Sequence, residues 1–277
     1  ININHSKFEN AQSIALRLID SNSVIENSTF SDNDCAISVD SLVNGDGTTD
    51  GGCYGAHSIV SQAAATTTPQ IKNNQFIRNR IIAIEIRNGT TPIIDNNNFT
   101  NNGYPARIES SYPVMTNSQI TNSTTSPNII NGIAISGRTH FSQNFTLKKD
   151  LPYILETDGP TLAPYIDTGA TLTIEPGTIL KTNNINSILF VNGSLVASTT
   201  PASQIIFTSL RDDLRGGDTN GDGSVSSPLA GDWGNIAFGP GSNGNFVNTV
   251  FDYAGAGFVP HNLPPTESLA KDFPAVS

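Results

Sequence analysis

The sequence predicts an all-β solenoid of stacked rungs, 22–23 residues to a rung with inserted loops. Two observations carry that prediction. The first is a recurring phrase: INHSKFENA from Ile3, IENSTFSDN from Ile25, IKNNQFIRN from Ile71 and IIDNNNFTNN from Ile93. Its aromatic anchors Phe8, Phe30, Phe76 and Phe99 are spaced by 22, 46 and 23 residues, read as one rung, two rungs and one rung. The second is alternation. Ile82, Ile84 and Ile86 interleave with Ala83, Glu85 and Arg87, as Ile14, Leu16 and Leu18 do with Ala15 and Arg17. A period of two belongs to a strand. One apolar face on each short strand cannot be buried within a single repeat, so rungs have to stack.

In chain order, residues 1–150 form the first run of rungs, in which asparagine marks the turns. Asparagine tolerates left-handed backbone better than other residues with a Cβ, and its amide can bond along a stack to its counterpart in the next rung. Asn27, Asn73, Asn96 and Asn122 are expected to form one such ladder, and Asn10, Asn33, Asn79 and Asn102 a second. An interruption over 41–69 leaves the repeat and rejoins it. Residues 151–257 form a second run through ATLTIEPGTILKT, SILFVNGSLVAS, QIIFTSLRDD, GDWGNIAF and TVFDYAGAG, each a short strand closed by a Gly or Pro-Gly turn. Residues 258–277 read as a connecting tail, so the whole is one continuous solenoid. A dozen or so rungs at about 4.8 Å each give a rod on the order of 55 Å long.

The Asn-rich phrases resemble the right-handed parallel β-helix proteins, the pectate-lyase-like superfamily. The phrases from Leu151 to Gly257 resemble β-helix modules of large secreted and surface-exposed bacterial proteins. That resemblance implies a right-handed parallel β-helix and an extracellular or cell-surface location. It also raises polysaccharide lyase or hydrolase activity as an alternative, because many proteins of this superfamily carry it.

Composition fits the architecture. Charged residues make up only 14% of the chain, while Gly (24) and Pro (16) are plentiful, which fits an all-β extracellular protein better than a disordered one. A net charge of −10 argues against nucleic acid, whose phosphates demand Lys and Arg. Apolar runs fall far short of a membrane span, so no membrane insertion is expected. Ile1 opens in mid-rung, and FPAVS at the end would run naturally into the opening ININ, so the expected partners are other copies or adjacent modules joined end to end.

The strongest chemical motif is GGDTNGDGS, Gly216 to Ser224. Asp218, Asn220 and Asp222 alternate, with Gly223 at the sharp turn, which is the first half of a calcium loop. Leu229 stands where an EF-hand places its bidentate Glu, so Asp212, Asp213 or Asp232 has to complete the shell. The expected cofactor is calcium, ordering the loop near 210–232. A weaker candidate holds Asp46 and Asp50 between Val43 and Gly52. Cys35 and Cys53 flank that interruption; either they form a disulfide, or Cys35, in phase with Ile37 and Val39, is a buried thiol.

Catalysis is not expected. Glycoside hydrolysis needs two carboxylates facing across a groove, and lyase chemistry a basic residue beside acidic ligands. Of the polygalacturonase phrases only Asp212-Asp213 occurs. The function expected is a non-catalytic structural or adhesive module of a bacterial surface protein or filament, with calcium bound. The alternative is a carbohydrate-binding or polysaccharide-degrading β-helix. A carbohydrate site would need a row of exposed aromatics, and Tyr104, Tyr112, Tyr153, Tyr165 and Trp233 are dispersed in sequence.

Overall fold

A computed structural model of the chain describes residues 1–41, 67–120, 128–157, 162–182, 185–186 and 188–256. These residues hold 27 β-strands and one 3-10 turn, Pro201–Ser203. Successive triplets of strands make nine rungs of a right-handed parallel β-helix, the strands pairing in parallel with their counterparts in neighbouring rungs except at one break between rungs five and six. The third strands form one nine-stranded sheet from Ile14–Ile19 to Thr249–Phe251. The first and second strands form five-stranded sheets through rung five and four-stranded sheets from rung six onward. The discontinuity falls where the Asn-rich phrases end. Across it, Ser118 Oγ donates to Asp150 Oδ2 at 2.7 Å, and Tyr112 Oη lies 3.0 Å from Ser142 Oγ.

The described residues hold nine rungs, against the dozen expected of the whole chain, and these span roughly 38 Å. The difference lies in the insertions. Phe30 pairs directly with Phe76, so the 46-residue interval is one rung plus the interruption, not two rungs. The interval from Leu189 to its partner Ile236 hides a second insertion in the same way. Both insertions leave from the end of a third strand, Cys35–Asp40 and Ile205–Ser209.

The interior is built by columns. Phe8, Phe30, Phe76 and Phe99 stack with centroid separations of 4.8, 5.2 and 5.2 Å. At the turns, Asn27, Asn73 and Asn96 adopt φ of 51°, 55° and 52°. That left-handed residue turns the chain, and the residue after it enters the core. A buried column, Ser28, Asn74 and Asn97, therefore runs one position after the expected ladder, with Asn74 Nδ2 donating to Asn97 Oδ1 at 3.1 Å. Asn73 and Asn96 make their own bond on the exposed rim. The second column contains Asn33, Asn79 and Asn102 as expected and continues to Asn128, while Asn10 is itself a left-handed turn residue and Ala11 takes its place. Asn122 lies outside the described residues.

The outer face of the nine-stranded sheet carries buried charge. Arg17 pairs with Asp40 at 2.6 Å, Arg87 with Glu85 at 2.5 Å, and Arg107 with both Glu109 and Glu156 at 3.1 Å. Pairing is what makes such burial tolerable. No helix among the described residues is long and apolar enough to cross a membrane.

Candidate metal centre

The insertion after Ile205–Ser209 runs along the outer face of the nine-stranded sheet and is fastened to it at several points. Lys181, fully buried on that face, donates from Nζ to the carbonyls of Asp212 and Gly217, both at 2.8 Å. Burial pushes its ammonium down to about 8, against the opposing pull of Asp212, Asp213 and Asp218. Further along, Asn131 donates its backbone N–H to Thr219 O at 2.8 Å. Trp233, also buried, donates from Nε1 to Asp252 O at 2.7 Å.

Within the insertion, Gly216, Gly217, Gly221 and Gly223 all take positive φ, and the resulting tight turns fold the chain back on itself. Asp218 braces the turn: its carboxylate accepts from Asp222 N–H at 3.2 Å and Gly223 N–H at 2.9 Å. Carboxylate oxygens of Asp213, Asp218 and Asp222 thereby come within 4.8 Å of one another. Asn220 leans on Asp222, donating from Nδ2 to Oδ2 at 2.8 Å. Ser226 Oγ donates to the same oxygen at 2.5 Å.

Three acceptors are left over. Asp213 Oδ1, Asn220 Oδ1 and Asp222 Oδ1 are shielded from solvent and accept no hydrogen bond. A shielded acceptor without a donor is costly, and three hard oxygens in one turn of negative charge are the donor set a calcium ion takes. Burial, followed by the charges of Asp218 and Asp222, raises the Asp213 carboxyl above its ordinary range. A cation bound among these oxygens would supply the compensating charge.

The six predicted ligands therefore divide. Asp213, Asp218, Asn220 and Asp222 converge. Asp212 is buried, with Oδ2 accepting from Thr208 Oγ1 at 2.7 Å. Asp232 accepts from Ser209 Oγ at 2.6 Å and from Arg211. Both serve as fasteners of the insertion. Asp46 and Asp50 lie outside the described residues. Cys35 is completely buried and disulfide-bonded; the chain's other cysteine, Cys53, lies outside the described residues.

A further feature is a row of rings missed by the sequence reading. His140, Tyr165 and Phe190 face outward from successive first strands, stacked at 4.9 and 4.7 Å, with Asp167 Oδ1 2.9 Å from His140 Nδ1. Register assembles them: His140 pairs with Tyr165, and Tyr165 with Phe190. Spacings of 25 residues were the only signal, hidden because three different ring types share the column. Of the tyrosines considered from sequence, only Tyr165 belongs to it; Tyr112, Tyr153 and Trp233 are buried. Comparison of the chain with protein-family profiles, with curated proteins and with solved structures found no match.

Proposed function

We propose that this chain is a non-catalytic structural or adhesive β-helix module of an extracellular or cell-surface bacterial protein, joined end to end to other copies or to adjacent modules. The observation that carries the reading is the register. In-register parallel pairing gives successive rungs the same kind of edge, and a further rung, of an adjacent module or of another copy, is the natural partner for an outer edge. The outer edges of Asn2–Asn4, Lys7–Glu9 and Ile14–Ile19 pair with nothing among the described residues. Ile3, Phe8 and Leu16 lie only partly buried beneath them. The half-cystine at Cys35 fits an oxidising compartment.

Calcium is the proposed cofactor, held by Asp213, Asp218, Asn220 and Asp222, where it would neutralise the turn and order the insertion. The kinship to secreted bacterial β-helix modules and to the pectate-lyase-like superfamily rests on the sequence phrases. Cross-linking of the native protein, followed by mapping of the linked peptides, tests the end-to-end reading. It predicts links between rung one of one copy and rung nine of another; links confined to the flanks of the rod refute it.

A second reading, polysaccharide binding, is favoured by the His140–Tyr165–Phe190 row, since sugars pack on aromatic surfaces. Affinity electrophoresis in gels cast with acidic or neutral polysaccharides separates the two. Retardation that is lost in Tyr165→Ala supports the sugar reading, and unchanged mobility in every gel opposes it.

A further inference from the structure

The second asparagine column does not simply stop at rung five; it is terminated by the metal-candidate loop. Asn33 Nδ2 donates to Asn79 Oδ1 at 3.0 Å, Asn79 Nδ2 to Asn102 Oδ1 at 2.8 Å and Asn102 Nδ2 to Asn128 Oδ1 at 3.3 Å. Asn128 Nδ2 then donates to Asn131 Oδ1 at 3.0 Å. Asn131 Nδ2 makes the last bond, to the carbonyl of Asp218 at 2.7 Å. Every donor points the same way, so the five side-chain amides form one polarised chain from rung two into the loop. Each amide dipole strengthens the acceptor of the one before it. The same oxygens serve the backbone: Asn79 Oδ1 also accepts from Asn33 N–H at 3.3 Å, and Asn102 Oδ1 from Asn79 N–H at 3.0 Å.

Asn131 grips the loop with both of its donors, through Asp218 O and Thr219 O, and it is buried where it does so, as is Thr219. The residues it holds lie 87 positions away in the chain. Asp218, whose carbonyl ends the amide chain, is also the residue whose carboxylate braces the Asp222–Gly223 turn.

We infer that Asn131 couples the insertion to the ladder, so that the 217–223 turn and the buried amides of rungs two to five order and loosen together. Only the calcium arm of this inference rests on the metal reading; the hydrogen-bond chain stands without it. Anything that orders the turn then protects backbone amides on the far side of the discontinuity between rungs five and six.

Hydrogen exchange on the full chain tests this, comparing wild type, Asn131→Ala, Asp222→Ala and the double variant. Asn131→Ala is expected to speed exchange severalfold both in the turn at 217–223 and at the Asn102 amide, while the strand Ser194–Ser198 stays as in wild type. Wherever Asp222→Ala loosens the turn, the Asn102 amide should follow in the wild-type background and not in the Asn131→Ala background, because the link is already cut. Added calcium should slow both regions in wild type. Exchange at Asn102 that stays fixed while the turn loosens overturns the coupling, as does an Asn131→Ala protein altered on one side only. Absence of calcium binding by calorimetry sinks the metal reading alone, and the comparison of variants still decides the coupling.

Discussion

Phe76 is fully buried between the rings of Phe30 and Phe99, whereas Phe8 at the end of the column has one neighbouring ring and is only partly buried. Truncating Phe76 to Ala should therefore cost about 3–5 kcal/mol, and Phe8→Ala well under half as much. Denaturant unfolding of the two variants checks the difference. Asp150 makes a second case. Burial raises its carboxyl above the ordinary value, partly offset by the bonds from Ser118. Between the ordinary and the raised value the folded chain holds a proton that the unfolded chain has lost, so stability falls as pH rises through that window. Asp150→Asn should flatten the fall, read as Tm against pH; an unchanged slope would assign it to other groups. The Phe column was legible from spacing alone because nothing else in the phrase resembles Phe. The left-handed Asn73 and Asn96 bond along the stack as the phrases suggest, but the buried column beside them was not legible, because Asn73-Asn74 and Asn96-Asn97 are adjacent pairs. One member is selected for left-handed φ and the other for a buried amide, and composition does not tell those demands apart.

At the scale of elements, the two insertions decide what the rungs present. The alternation of Asp218, Asn220 and Asp222 around Gly223 made the convergence of these side chains legible, since the local geometry is dictated by the glycines. The choice between Asp212 and Asp213 was not legible, because it depends on how Thr208 and Lys181 beneath the loop draw Asp212 inward. An interval of 46 residues likewise equals two rungs in sequence, and only strand pairing shows that it is one rung with an insertion. Calcium removal is expected to open the 210–235 insertion to proteolysis while the rungs stay folded, since Lys181, Asp232 and Trp233 fasten its base independently. Limited proteolysis with and without a chelator checks this. Asp222→Ala should make the calcium-loaded protein as sensitive as the chelated one, and equal sensitivity of wild type in both conditions would contradict a structural cation.

For the molecule as a whole, the nine rungs of the described residues, held by side-chain columns within each run and by one nine-stranded sheet through both, make a rod whose pairing repeats along its axis. The architecture was legible because stacking imposes one demand on every repeat, while the rung count was not, since insertions carry no repeat signal. If modules join edge to edge, a charge introduced under the outer edge of rung one should block association without unfolding the rod. Ile3→Lys is suited to this, because Ile3 packs on the core but remains partly exposed. The most direct measurement is light scattering of the 277-residue chain over a range of concentrations in calcium, with Ile3→Lys alongside. The expected result is a mass rising from 29.3 kDa in whole-number steps for wild type and held at one chain for the variant. A constant 29.3 kDa for wild type at every concentration would contradict end-to-end assembly of copies.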